Sequence, residues 1–282
     1  MTTTRTALLT ALTMLAFAAN AVLCRLALHN GAIDPASFSS VRVVSGALML
    51  ALLAWPHWRR SGLPRADWRS AAALFSYMIC FSVAYLWLQV GTGTLILFGA
   101  VQLTMFVVAL RRGEHFSALS WLGLGLAVLG LVYLVAPGVT APDPLGAGLM
   151  ALAGIAWGIY TLRGQAVTDP LAATASNFLF AVPLVLAVSV PFIGRLHAAW
   201  PGVALAVASG AIASGLGYAL WYSALPGLKA TSAATVQLSV PVIAAFGGVL
   251  LLAEPVTLRL VLASAATLGG VAIVLRRRAA RG

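Results

Sequence analysis

Apolar residues fall into ten runs divided by brief polar punctuation. The runs are Thr6–Leu28, Ala36–Trp55, Ser70–Leu88, Gly91–Leu110, Ser117–Val135, Leu145–Leu162, Leu171–Ile193, Gly202–Ser223, Ala230–Leu252 and Val256–Leu275. Each approaches the roughly 20 residues an α-helix needs to cross about 30 Å of hydrocarbon. Turn chemistry separates them: Asn30-Gly31 with Asp34-Pro35, Pro137-Gly138 with Asp143-Pro144, Asp169-Pro170, Pro226-Gly227 and Glu254-Pro255. Between the third and fourth runs only Gln89-Val90-Gly91-Thr92-Gly93 intervenes, but a merged run of about 41 residues is too long for one crossing. The pattern predicts an all-α polytopic membrane protein with ten transmembrane helices.

Composition supports this and removes other classes. The chain is 61% hydrophobic and 8% charged, with a mean hydropathy of +1.00, against about 45–50% apolar and about 25% charged residues in soluble domains. No soluble catalytic domain fits between the spans. The net charge of +11 is not a nucleic-acid signal, because the basic residues sit in short clusters between spans and form no stripe. They read as topology signals. Ten spans place both termini on one side, and thirteen of the 17 Lys and Arg fall there: Arg5, Arg59, Arg60, Arg65, Arg69, Arg111, Arg112, Arg163, Lys229, Arg276, Arg277, Arg278 and Arg281. Arg195 and Arg259 fall opposite, while Arg25 and Arg42 lie within spans near the outer face, where arginines usually snorkel; holding a carboxylate near an outer gate is the other reading. This split predicts cytoplasmic termini. Cys24 and Cys80 lie in apolar runs without metal-ligand spacing and read as structural thiols. The four histidines read as solvated loop residues.

An internal repeat emerges at an offset of about 140 residues. Ala16-Phe17-Ala18 aligns with Ala156-Trp157-Gly158, Asn20 with Tyr160, Glu114 with Glu254, and Gly130 with Gly270. Within each half the offset drifts, so that Val101-Gln102-Leu103-Thr104 meets Val236-Gln237-Leu238-Ser239 and Ala84-Tyr85 meets Gly217-Tyr218. Residues 1–137 and 138–282 thus form two five-span halves. Five is odd, so the second half crosses the membrane in the opposite sense, an arrangement that puts substrate near the midplane between halves. Arg5 followed by an apolar run and Ala16-Phe17-Ala18 also has the look of a cleaved leader, but pairing of the first span with the sixth makes it structural.

The five-plus-five arrangement, Ala156-Trp157-Gly158, Pro241 followed by small residues, and Glu254-Pro255 before a Gly-rich helix resemble the EamA-type branch of the drug/metabolite transporter superfamily. Phe17-Ala18 departs from the family's usual tryptophan-glycine, and the fourth span lacks a proline. Its short segment from Gln102 to Glu114 is similar to that of YddG-type aromatic amino-acid exporters. The resemblance implies a multi-pass protein of the bacterial inner membrane that exports small metabolites. Spans one, three, four, six, eight and nine would line the path, with five and ten packed at the periphery.

Polar groups within hydrocarbon are functional candidates. Gln102 and Gln237, with Ser239 close by, offer amide and hydroxyl groups suited to a zwitterion; interhelical hydrogen bonding is the competing reading. Asn20, Tyr85, Trp157, Tyr160 and Tyr218 lie well inside spans, where aromatic residues have no interface to anchor, and are candidates to contact a planar substrate rather than only pack. Pro241 removes the backbone bond to the Gln237 carbonyl, freeing an acceptor or a bend. Gly158 and Gly217 permit close helix approach and mark further gating positions. Every carboxylate falls at a loop or span end, which argues against a proton-coupled pump for cationic drugs. The sequence therefore predicts alternating-access transport of aromatic and other apolar amino acids or related neutral metabolites. It calls for no metal, cofactor or nucleic acid, and its partners are a small-molecule substrate and the lipid bilayer. A proton-coupled efflux pump is the alternative. An intramembrane enzyme lacks a base beside a nucleophile, and a non-transporting scaffold leaves the paired mid-span amides unexplained.

Overall fold

A computed structural model describes residues 3–62, 67–164, 167–228, 233 and 235–279. Among them, helices form where the apolar runs lie: Thr3–His29, Pro35–Ser61, Trp68–Ala84, Val90–Arg111, Ala118–Val135, Pro144–Gly164 and Pro170–Ser189 make the first seven spans. Trp200–Gly227 makes the eighth, and Ser239–Leu252 and Leu258–Ala279 the ninth and tenth. Eight are long and apolar enough to cross a membrane, while Trp68–Ala84 and Ser239–Leu252 are shorter apolar helices. The Asp-Pro pairs turn out to be helix starts. Asp34 accepts from the Ala36 and Ser37 amides and Asp169 from the Ala172 amide, each with proline at the first helical position.

Two elements differ from the simple span pattern. The second helix runs through Pro56 to Ser61, so His57 is helical rather than in a loop; it stays exposed to solvent, with Asp169 at 3.0 Å. The ninth span is broken at Gln237–Leu238, where the chain makes a turn before Ser239. Pro241 has no N–H to offer the Gln237 carbonyl, and the Val240 amide takes it instead at 3.1 Å. The expected free carbonyl is therefore occupied, and the proline is expressed as a helix break. Ala230, where the pattern begins this span, lies outside the described residues, as do Arg65, Lys229 and Arg281 of the charge tally.

Contacts among described residues sort into two ends. At one, His57 meets Asp169, Arg163 meets Asp67, and Gly227 abuts Thr6. At the other, Asp34 accepts from the His197 amide, Arg25 meets Glu254, and Arg259 donates to the Ala136 carbonyl. Successive spans thus alternate in direction. Span-to-span packing obeys the exchange of halves. The third packs on the sixth and the eighth on the first; the fourth packs on the sixth and the ninth on the first; the second packs on the eighth and the seventh on the third. Second with seventh, fourth with ninth and fifth with tenth are their own images.

The fifth and tenth spans form a seam of glycines. A Cβ on Gly123 would stand 2.6 Å from the Gly270 carbonyl oxygen, and one on Gly270 would meet the Gly123 oxygen and the Ala127 nitrogen. Those neighbours are backbone and have no rotamer by which to retreat. Gly270→Val should therefore force the two helices apart, costing roughly 1–3 kcal/mol or more. Thermal unfolding of the detergent-solubilised variant checks this against Gly125→Ala, whose added Cβ meets nothing within 4 Å.

At the end where His57 meets Asp169, Arg163 holds both Asp67 oxygens at 2.9 and 3.0 Å and donates through Nε to Ser70. Burial alone would raise the Asp67 pKa, but the hydrogen bonds from Ser70 and Arg163 and the guanidinium charge outweigh it and hold the carboxyl below its ordinary value. The folded state then prefers the ionised form. This stabilisation is fully present above the unfolded carboxyl pKa of about 3.9 and is lost as pH falls through the lower folded value. The unfolding midpoint should drop on acidification through that window, and Asp67→Asn should flatten the dependence.

Candidate functional site

Six spans converge on one cavity. The first supplies Phe17, Asn20 and Ala21, the third Tyr77 and Phe81, and the fourth Thr94, Leu97 and Phe98. Trp157 comes from the sixth span, Ala213, Ser214 and Tyr218 from the eighth, and Gln237 from the ninth. On the first, third and fourth spans the lining residues recur three or four positions apart, the spacing that stacks side chains on one helix face. These six spans are the ones the family resemblance assigns to the path.

Six of the thirteen lining residues are aromatic. Tyr77 lies 4.9 Å from Trp157 and 5.4 Å from Phe81, centroid to centroid, and Trp157 lies 5.7 Å from Tyr218. Phe17 closes the set at 5.9 Å from Tyr218. A hydrogen-bonded chain runs beside the rings. The Ser209 hydroxyl donates to Asn20 Oδ1 at 2.6 Å, Asn20 Nδ2 donates to the Tyr77 hydroxyl at 3.5 Å, and Arg42 Nη2 donates to the same hydroxyl at 3.3 Å. Gln237 donates to the Ala233 carbonyl at 3.3 Å while its side chain faces the cavity.

Of the residues singled out in the sequence, Asn20, Trp157, Tyr218 and Gln237 line this cavity and four others do not. Tyr160 is one layer back, stacked on Trp157 at 5.4 Å and donating to Thr174, with Asn177 donating to its hydroxyl. Tyr85 is fully buried behind Phe81, edge-on at 4.9 Å. The Ser239 hydroxyl turns to its own backbone and donates to the Val236 carbonyl. Gln102 lies outside the lining set although Gln237 is inside it; the helix break ahead of Pro241 turns the ninth span in a way the unbroken fourth span does not follow. Gly158 and Gly217 are packing points, facing Thr104 at 3.0 Å and Ala16 at 3.2 Å from where a Cβ would sit. Phe17, Tyr77 and Phe81 were not singled out as site residues. For Tyr77 and Phe81 the available signal was their spacing of four on one helix, with Tyr85 a further four on at its C-terminal cap.

Both intramembrane arginines depart from the snorkelling expectation. Arg25 pairs with Glu254 at 3.2 Å, the two side chains only 12% and 11% exposed, and also donates to the Tyr85 and Leu86 carbonyls. Glu254 in turn accepts from the Val90 amide at 2.7 Å. This cluster ties the first, third, fourth and ninth spans at one end. Arg42 is 1% exposed, with its guanidinium 4.9 Å from the Phe81 ring centroid and 5.6 Å from that of Tyr77.

Ten alternating spans, two exchangeable halves and a shared mid-protein cavity define a membrane transporter of the inverted-repeat class. The signature of the EamA-like transporter family matches residues 4–136 and again residues 144–276, and the chain belongs to that family, within the drug/metabolite superfamily. An uncharacterized protein of Pseudomonas aeruginosa is 53% identical over 277 residues, covering 98% of this chain and 96% of its own. An uncharacterized transporter of Archaeoglobus fulgidus is 25% identical over 230 residues, 76% of this chain and 81% of that one. A solved crystal structure has the same fold at a TM-score of 0.64 and 19% identity, over 94% of this chain and 98% of the other.

The Arg25–Glu254 cluster yields a stability test. Arg25→Gln leaves the Glu254 carboxylate buried without its cation, a loss of about 3–5 kcal/mol for a buried pair. The double variant Arg25→Gln with Glu254→Gln removes the stranded charge and should recover much of that loss. Denaturation of the two variants beside wild type makes the comparison.

Proposed function

We propose that this transporter moves aromatic and other apolar amino acids, or closely related neutral metabolites, by alternating access of the central cavity. The observation that carries the reading is the cavity wall. Rings of Phe17, Tyr77, Phe81, Phe98, Trp157 and Tyr218 surround two amides, Asn20 and Gln237, and no carboxylate is among the lining residues. Such a wall offers stacking faces to a planar side chain and both donors and acceptors to a zwitterionic head. A cationic drug would find no counter-charge there. The resemblance to exporters supports export across the bacterial inner membrane; the 13-to-2 placement of basic residues supports cytoplasmic termini, with the two five-span halves as the moving bodies.

Transport follows from differential affinity of the substrate for inward- and outward-open states, and needs no proton if the gradient of the substrate drives it. The rival, proton-coupled reading has one observation in its favour: Glu254 is a largely buried carboxylate at the junction of four spans.

Flux of labelled phenylalanine into liposomes, with and without an imposed proton gradient, separates the two. Saturable flux indifferent to the gradient is expected, reduced about tenfold or more in Trp157→Ala, where a stacking face is lost, and in Gln237→Ala. Uphill flux driven by protons would replace the facilitator reading with the coupled one. No flux above empty liposomes would remove the amino-acid assignment.

A further inference from the structure

The arginine of the second span is a buried cation with no anion. Arg42 is 1% exposed, and neither its Nε nor its Nη1 has a hydrogen-bond partner among the described residues. Among the described residues its hydrogen bond is to the Tyr77 hydroxyl, through Nη2 at 3.3 Å. The carboxylates that would neutralise it are committed elsewhere: Asp67 to Arg163, Glu254 to Arg25, Asp169 to His57, and Asp34 and Asp143 to backbone amides. Glu114 is exposed beyond the end of the fourth span. A buried charge is tolerated when it is paired and its donors are satisfied. Two aromatic faces, those of Phe81 and Tyr77, supply cation–π attraction but accept none of the free N–H groups.

This charge stands one side chain behind the cavity. Tyr77 and Phe81 line the cavity on one side and lie against the guanidinium on the other. Asn20, also in the lining, donates to the same Tyr77 hydroxyl. Displacing that hydroxyl would bring an anion in the cavity onto unsatisfied charged donors, with the Asn20 amide beside them. The geometry points to Arg42 as the counter-ion for a carboxylate on the transported molecule, received at the Tyr77–Asn20 corner of the cavity. This rests on the transport reading and narrows it. The substrate class becomes carboxylate-bearing aromatic or apolar molecules, with Arg42 setting the preference for acid over amide. A bare inorganic anion held permanently at the same donors is the other source of that chemistry.

Two measurements on the full-length protein decide the matter. In liposomes, flux of phenylalanine is compared with flux of phenylalaninamide, which keeps the ring and amine and lacks the carboxylate. In detergent, the unfolding midpoint is followed with phenylacetate against phenylacetamide, and with chloride against gluconate in the absence of either ligand. Wild type should favour phenylalanine roughly ten- to hundredfold, the worth of a hydrogen bond to a charged group, and be stabilised by phenylacetate alone. Arg42→Met and Arg42→Gln should bring the flux ratio close to one and abolish the phenylacetate shift, while Arg42→Lys keeps part of both. An unchanged ratio and an unchanged phenylacetate shift in Arg42→Met and Arg42→Gln would overturn the assignment. So would a chloride-dependent midpoint in wild type that disappears in these variants, since it would show a resident halide. If neither amino-acid derivative is moved but phenylacetate still stabilises through Arg42, the amino-acid reading fails and the anion site stands.

Discussion

A single phenol hydroxyl holds the middle of this protein in register. Tyr77 of the third span accepts from Asn20 of the first and Arg42 of the second, and Asn20 accepts from Ser209 of the eighth. Water is absent from the bilayer core, so polar groups there must find partners within the protein. Each of these bonds therefore fixes the rotation of a helix about its own axis as well as its position. Once the four are fixed, the ring of Tyr77 is aimed at Trp157, and the sixth span's face is chosen too. The aromatic wall is a consequence of this polar knot behind it.

The fold was largely legible in the chain because its signals were long and redundant. Ten apolar runs and colinear repeat matches survive errors of a few residues. The site was legible only where a side chain was conspicuous for its depth: Asn20, Trp157, Tyr218 and Gln237. Rotation was the missing variable. The repeat equates Gln102 with Gln237 in position along their helices, but Pro241 breaks the ninth span and nothing breaks the fourth, so the two amides face different surroundings. Tyr85 and Tyr160 sit at cavity depth and still point one layer away. Phe17 read as a departure from the family's tryptophan, yet it holds a lining position. Of the two readings of Arg25 and Arg42, snorkelling fails because it presumes a lipid-facing stem, whereas both arginines face protein.

The two ends of the molecule are closed by different chemistry despite the repeated halves. Arg25 near the end of the first span and Arg163 near the end of the sixth occupy comparable places. Arg25 reaches the ninth span, and exchange of halves would send Arg163 to the fourth. It reaches Asp67 at the start of the third instead. The first pair is 12% and 11% exposed and the second 35% and 44%, so one closure is dry and tied to backbone while the other is washed by solvent. Solvent screening makes the wetter pair the weaker of the two.

The eighth span carries its own arithmetic. Residues Ala208–Leu216 form a π-helix between α-helical ends. Ser209 reaches Asn20, Ala213 and Ser214 line the cavity, and Tyr218 lines it again. In an α-helix at 3.6 residues per turn, positions nine apart are about two and a half turns apart and look in opposite directions. The wider i→i+5 winding brings nine residues close to about two full turns, so Ser209 and Tyr218 share a face. One stretch of loosened helix thus lets the same span fasten itself to its neighbour and furnish the wall of the cavity. Rewinding the same residues as ordinary α-helix would turn Ser209 and Tyr218 to opposite sides and leave the span able to do only one of the two.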